Sequence, residues 1–467
     1  MIRNDETICA PATALGGAVS VVRMSGPASF EIIRPVFRPS SKNSDLSNLK
    51  GFTIIHGEIR SRDELIDEVL VSIFRAPHSY TGEDSVEISC HGSPFIVTRI
   101  MELLLRNGAV AARPGEFTQR AFMNGKMDLS QAEAVADLVA SGTTESHRIA
   151  IHQMRGGFSG EIAKLRSELL RFASLIELEL DFGEEDVEFA DRKELISIII
   201  TVKELSDRLA GSFRLGNAIR NGIPVAIAGK PNSGKSTLLN ALLNEEKAIV
   251  SDIPGTTRDT IEDTIVIGGM IYRFIDTAGL RDTTDVIESL GIQRTNEKIM
   301  KASVILMVDE VLEDAGKINQ RADSIRKMTE GLDKHLMIVI NKTDRCDASH
   351  IENLKSLVIT GKDESLLFIS AKNNQGIDAL KDSLGKIFSN ENYGRNDVII
   401  SNLRHYEALT HVSDSLGRVV SGLADNIPDD LIAMDIRQAI HYLGEITGEI
   451  TSDEILGNIF RNFCIGK

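Results

Sequence analysis

The chain has 467 residues, 42% of them hydrophobic, and a formal net charge of −16. That length predicts about three domains, and no apolar run approaches the roughly 18 residues a membrane-spanning helix requires, so no membrane association is expected. The acidic balance argues against a broad nucleic-acid grip, which leans on basic surface, and leaves room only for a local contact or one shared with a partner.

Residues 1–20 lack the basic start and long apolar centre of a signal peptide. Cys9, Cys90, Cys346 and Cys464 are scattered, without disulfide or metal-ligand spacing, and the expectation is a cytoplasmic protein.

In chain order, residues 1–118 read as an α/β domain, with strands at Ala18–Val22 and Glu64–Phe74 and a helix at Ser93–Arg106. Arg113-Pro-Gly-Glu116 marks its end. From 119 to 216 helices are predicted: Ile162, Leu165, Leu169, Phe172, Ile176 and Leu180 recur every three or four positions, the period of one helix face. Asp191-x-x-Glu194 resembles a capping box, and Leu195, Ile199, Val202, Leu205 and Leu209 continue the pattern. The periodicity returns in 386–467 with Leu409, Val412, Leu416, Val419 and Leu423, then Ile432, Ile436, Ile440 and Leu443. Stripes before and after 217–385 cannot be buried singly, which predicts one discontinuous bundle interrupted by an inserted domain.

Within the insert, Ile223–Ala228 reads as a strand and Thr237–Leu242 as the start of a helix, flanking Gly229-Lys-Pro-Asn-Ser-Gly-Lys-Ser236. This is the context of a phosphate-binding loop, whose backbone N–H groups and helix N-terminus cradle phosphates. Asn232, Ser233, Gly234, Lys235, Ser236 and Thr237 are therefore candidate nucleotide contacts, Lys235 on the outer phosphates and the Ser236 hydroxyl on Mg²⁺. Asp263–Ile267 and Ile271–Ile275 flank Gly268-Gly269-Met270, a hairpin signal. Asp276-Thr277-Ala278-Gly279 follows, Asp276 suited to a Mg²⁺-bound water and the Gly279 amide to the γ-phosphate. Leu280, at the next position, can orient no water. The remaining strands alternate with helices, predicting a mostly parallel sheet. Asn341-Lys342-Thr-Asp344 follows the strand-like His335–Ile340. A carboxylate there can accept both guanine N1–H and the 2-amino group, a donor pair adenine lacks. Lys342 would lie along the base, and Ser370-Ala371-Lys372 would complete the pocket through the Ala371 amide. The motifs together predict GTP.

With Gly255-Thr-Thr-Arg-Asp259, Glu445-Ile-Thr-Gly-Glu449, Thr451-Ser-Asp453 and the ending Phe463-Cys464-Ile-Gly-Lys467, the chain resembles the MnmE/TrmE family of tRNA-modifying GTPases throughout its length. The resemblance implies an N-terminal α/β folate-binding dimerisation domain, a helical bundle and an inserted Ras-like GTPase domain. It implies that Asn232, Ser251, Ile253 and Thr256 hold K⁺ beside the phosphates, in place of an arginine finger, and that Thr257 joins Ser236 on Mg²⁺. Asp252, Pro254 and Gly255 complete the implied switch loop, Arg258 ties it down, and Glu288 orients the hydrolytic water. Arg23, Glu87, Lys126 and Lys467 are implied contacts for 5,10-methylene- or 5-formyl-tetrahydrofolate. For Cys464 two readings stay open, a nucleophile or proton-transfer group and a packing cysteine.

The same resemblance implies a homodimer and a heterotetramer with the flavoprotein MnmG (GidA), which carries FAD and uses NADH. The complex would add an aminomethyl or carboxymethylaminomethyl group to carbon 5 of the wobble uridine of certain tRNAs. Two other readings are compatible with the motifs: a ribosome-assembly GTPase, and a nucleotide-gated scaffold for the flavoenzyme. The absence of a basic RNA-binding module in the sequence weighs against the first.

Overall fold

The computed structural model describes residues 5–41, 49–181, 192–244, 263–275, 296–362, 364–389, 397–425, 427–461 and 463–466. They form two compact units, one of residues 1–140, 150–206 and 408–467, the other of 141–149 and 207–407. The first unit's chain thus leaves and returns around the second.

The first unit opens with a seven-stranded sheet. Its strands are β1 (Ile8–Pro11), β2 (Val19–Ser25), β3 (Phe37–Pro39), β4 (Thr53–Ser61), β5 (Glu64–Phe74), β6 (Ser85–His91) and β7 (Val110–Ala111). They lie in the order β3-β4-β5-β6-β2-β1-β7, antiparallel except where β7 joins β1. β5 alternates in the manner of a half-buried strand, Val69, Val71 and Ile73 inward and Leu70 outward. The helix Pro94–Arg106 begins with proline, whose missing N–H costs nothing in a first turn. It buries Val97, Ile100, Leu103 and Leu104 over the strands. β2 runs three residues beyond the expected Val22, which carries Arg23 into the sheet.

The same unit holds most of the helical stripes. In the helix Gly157–Asp181, Ile162, Leu165, Leu169, Phe172 and Ile176 are buried, each contributing on the order of 1.5–3 kcal/mol relative to exposure. Helix Asp429–Thr447 packs along it, burying Ile432, Ile436, Ile440 and Leu443, and an Arg166–Glu449 ion pair of 2.7 Å closes one end. Leu409, Val412, Leu416 and Val419 are buried on Leu403–Ala424, whereas Leu423 is half-buried. On Arg192–Gly211, Ile199, Val202 and Leu209 are buried but Leu205 is only half so. Ser206 takes the inward position instead, its hydroxyl satisfied by the Val202 carbonyl at 2.9 Å. The side chains of Leu180 and Leu195, Asp191, and the side chains of the acidic stretch from Glu177 onward fall outside the described residues.

The second unit is built on β8 (Ile223–Ala228), β9 (Asp263–Ile267), β10 (Met270–Phe274), β11 (Val304–Glu310), β12 (His335–Asn341) and β13 (Ser365–Phe368). The order is β13-β12-β11-β8-β10-β9, parallel throughout except the β9–β10 hairpin. The hairpin turn is tighter than expected: Met270 pairs with Ile267, leaving only Gly268 and Gly269 between strands. Their φ values of 60° and 83° suit the two-residue turn whose twist matches the flanking strands, which demands φ > 0 at both positions. β11 is buried from Val304 to Asp309, covered on both faces as a central parallel strand must be. Ala315–Met328 and Ala348–Leu357 start on Asp314 and Asp347, whose side chains accept from the Lys317 and His350 amides.

Candidate nucleotide and folate sites

The phosphate-binding loop leaves β8 and enters the helix Lys235–Asn244, so its amides converge at a helix N-terminus, a ready anion site. Asn232 takes a left-handed φ of 64° and Gly234 a φ of 95°. A Cβ on Gly234 would stand 2.2 Å from Asn341 Nδ2, so only glycine fits. Lys235 Nζ donates to the Gly229 and Lys230 carbonyls at 2.8 and 2.7 Å, folding back over the loop's mouth. Burial pushes its amine below the ordinary lysine value, and the nearby Asp309 carboxylate opposes that shift. Ser236 lies in the first turn of that helix, next to Lys235.

Asn341 ends β12 and bridges two loops. Its Nδ2 donates to the Ser233 carbonyl at 3.0 Å, and its Oδ1 accepts from the Ala371 amide at 3.0 Å. Lys342, with φ of 65°, extends Nζ to the Asn232 carbonyl at 2.6 Å and pairs with Glu310. Asp344 lies in the turn Thr343–Arg345 and accepts from the Ser370 hydroxyl at 2.5 Å. That bond holds its carboxyl below the usual carboxylate range, with Arg345 and Lys372 adding to the effect. Phosphate loop, Asn341–Asp344 and Ser370–Lys372 are thus one constellation, with Asp344 exposed beside it as an open acceptor.

A second cluster belongs to the first unit. Arg23 and Glu87 are cross-strand partners on β2 and β6, joined by Nε to Oε1 at 2.8 Å. The guanidinium lies 5.3 Å from the Tyr80 ring centre and 5.7 Å from that of Phe117, and donates to the Gly466 carbonyl at 3.4 Å. Lys126 donates to Pro77 at 2.9 Å, and its stem lies within 3.4 Å of where a Gly82 Cβ would stand. The 77–83 segment therefore links Lys126 to the Arg23 neighbourhood. Beneath it Arg120, only 1% exposed, pairs with Glu83 and Glu116 at 3.2 and 3.1 Å, and Ser25 joins Thr81 and Glu83 at 2.6 and 2.8 Å. Cys464 is exposed, its carbonyl accepting from the Gly115 amide at 3.4 Å.

Residues 7–126 match the model of the GTP-binding protein TrmE N-terminus, and residues 129–464 that of the MnmE helical domain. The tRNA modification GTPase MnmE of Bacteroides thetaiotaomicron is 52% identical, across 99% of this chain and 100% of its own length. Its counterpart in Christiangramia forsetii is 52% identical over 100% of both, and that of Cytophaga hutchinsonii 50% identical over 99% of this chain and 98% of its own. The chain belongs to the MnmE family.

This MnmE family member carries the expected fold, an α/β N-terminal region, a helical region and a P-loop unit on a mostly parallel sheet. Of the expected contacts, the structure brings together Asn232, Ser233, Gly234, Lys235, Asn341, Lys342, Asp344, Ser370 and Ala371, and separately Arg23 with Glu87. Ser251, Asp252, Ile253, Pro254, Gly255, Thr256, Thr257, Arg258, Asp276, Thr277, Ala278, Gly279, Leu280, Glu288 and Lys467 lie outside the described residues. Sequence reasoning missed Tyr80, Phe117 and the Arg120–Glu83–Glu116 cluster. It also missed Asp309, which Arg321 grips at 2.6 and 3.1 Å, and Glu310. An arginine three positions after a Phe117 was no signal by itself. The paired acids ending an otherwise apolar strand at Asp309-Glu310 were one that spacing alone does not interpret.

Among the described residues no helix is long and apolar enough to cross a membrane, and no group of three metal-ligating side chains is assembled.

Proposed function

We propose that this chain is a potassium-activated GTP hydrolase that works with a flavin-dependent partner of the MnmG type on tRNA. Together they would add an aminomethyl or carboxymethylaminomethyl group to carbon 5 of the wobble uridine. The observation carrying the nucleotide half is the Asn341 bridge, which fastens the phosphate loop to the loop presenting Ala371, beside the carboxylate of Asp344. That arrangement supports guanine over adenine, because Asp344 would be left unpaired against adenine. Lys235 would move its ammonium from the loop carbonyls to the outer phosphates. Ser236 and Thr257 would hold Mg²⁺, and the Asp276–Gly279 segment would approach the γ-phosphate. Lys342 pins the Asn232 backbone, which supports Asn232 as one oxygen donor to K⁺ with Ser251, Ile253 and Thr256. A bound K⁺ would supply the positive charge otherwise given by an arginine finger. Glu288 would orient the water.

The Arg23–Glu87 pair suits a tetrahydrofolate: a carboxylate for the pterin donor edge, cations for the glutamate tail, and aromatic faces at Tyr80 and Phe117. A folate held there would supply one carbon; FAD and NADH would act on the partner. The chain would comprise a folate-binding dimerisation domain at 1–118, a helical domain at 119–216 and 386–467, and a GTPase domain at 217–385, in a cytoplasmic homodimer.

Steady-state GTP hydrolysis in K⁺ and in Na⁺, each at equal ionic strength, tests the reading. Turnover several-fold faster in K⁺ is expected. Equal rates would remove the cation role, and an intact wobble modification in tRNA from a deletion strain would remove the tRNA role.

A further inference from the structure

The geometry points to Glu310 as a positioning residue for base recognition, a deepening that rests on the guanine-nucleotide reading of the pocket. Glu310 is the last residue of β11, in register with Asn341 on β12, and the Val311 amide donates to the Asn341 carbonyl at 2.9 Å. Its carboxylate therefore stands beside the segment that turns from β12 into the Asp344 loop. One oxygen, Oε1, pairs with Lys342 Nζ, and Oε2 lies 4.0 Å from Arg345 NH1. Lys342 precedes the turn Thr343–Arg345 that carries Asp344 and Arg345 ends it, so one carboxylate faces a cation before Asp344 and a cation after it.

Lys342 also needs an anchor. Its left-handed φ of 65° is a conformation a residue with a Cβ keeps only when its surroundings impose it. With Nζ shared between Glu310 and the Asn232 carbonyl, the far end of the side chain is held at two points, which restricts the aliphatic stem behind it. Across the loop the Ser370 hydroxyl holds Asp344 from the other side. Glu310 and Ser370 thus set the orientation of the Asp344 carboxylate from two directions. Glu310 acts through Lys342 and Arg345.

The test compares fluorescent mant-GDP with mant-IDP, whose base lacks the 2-amino group that Asp344 would accept. In Glu310→Ala the GDP dissociation constant is expected to rise about three- to fivefold, the scale of a partly exposed ion pair, through faster release. The preference for GDP over IDP should shrink, because a mis-aimed carboxylate loses the second hydrogen bond first. Glu310→Asp should recover part of that preference, and in GTP hydrolysis KM should change more than kcat. A GDP affinity equal to wild type would overturn the inference. So would an equal loss for GDP and IDP, since general loosening of the fold treats both ligands alike. Wild-type protein binding neither ligand would instead overturn the guanine reading itself, before any variant is compared.

Discussion

Asp344 and Ser370 show how a single hydroxyl tunes the carboxylate proposed to read guanine. Guanine presents two donors, so only the ionised form of Asp344 accepts both. The Ser370 hydrogen bond, then a backbone hydrogen bond and the charges of Arg345 and Lys372, depress the carboxyl's pKa. A depressed pKa means the charged acceptor persists to lower pH and is lost only as pH falls through the lowered value. Ser370→Ala removes the leading cause, so the Asp344 titration should move upward, toward the ordinary aspartate value of about 3.9. Carboxyl-carbon NMR of Asp344 in both proteins measures this, and coincident titrations would contradict it. The residue types here were readable in advance: Asn341, Lys342, Asp344 and Ser370-Ala371-Lys372 stand in an order that predicts guanine. Their fastening was not. The Asn341 amide reaches Ser233, 108 positions away, and that contact exists only because the sheet places the ends of β8 and β12 two strands apart with β11 between them.

At the scale of whole elements, period was legible and local exceptions were not. Apolar residues every three or four positions can be buried only on a helix face, so the stripes on Gly157–Asp181 and Asp429–Thr447 follow from the sequence. Leu205 continues its stripe by spacing yet is half-buried, because Ser206 turns inward and satisfies its hydroxyl on its own helix. Met270 reads as a turn residue by adjacency to two glycines, but two glycines with positive φ suffice for the reversal and Met270 joins β10. Burial ranks these positions energetically. Phe172 is fully buried, and truncation there leaves a cavity that close-packed neighbours fill only in part. Phe172→Ala should cost about 3–5 kcal/mol, whereas Leu205→Ala removes a side chain already partly in water and should cost less than half of that. Urea unfolding followed by helical ellipticity compares them, and equal losses would refute the ranking.

Across the molecule, the most distant contact at either site joins Arg23 to Gly466, 443 positions apart. Neither helix period nor strand alternation reports on residues 463–466, so their place against the sheet could be anticipated only through family resemblance. Physically the segment is held at three points. Phe463 follows Phe460, with ring centres 5.2 Å apart, the Cys464 carbonyl accepts from Gly115, and Gly466 passes close over the end of β1. A Cβ on Gly466 would stand 2.2 Å from the Pro11 carbonyl oxygen, and its φ of 93° is one that L-residues resist. Gly466→Ala must therefore lift the segment or distort it, at a strain of about 1–2 kcal/mol before the clash is counted. The Arg23 guanidinium then loses the Gly466 carbonyl, while its Glu87 partner and the sheet stay in place. If the Arg23 neighbourhood holds a tetrahydrofolate as proposed, its affinity should fall about tenfold or more, tenfold being the equivalent of 1.4 kcal/mol, with GTP hydrolysis in K⁺ nearly intact. Isothermal calorimetry with tetrahydrofolate reads the first and phosphate release the second. Wild-type folate affinity in Gly466→Ala would mean that this close passage does not shape the pocket and that Arg23 needs no help from the segment beside it.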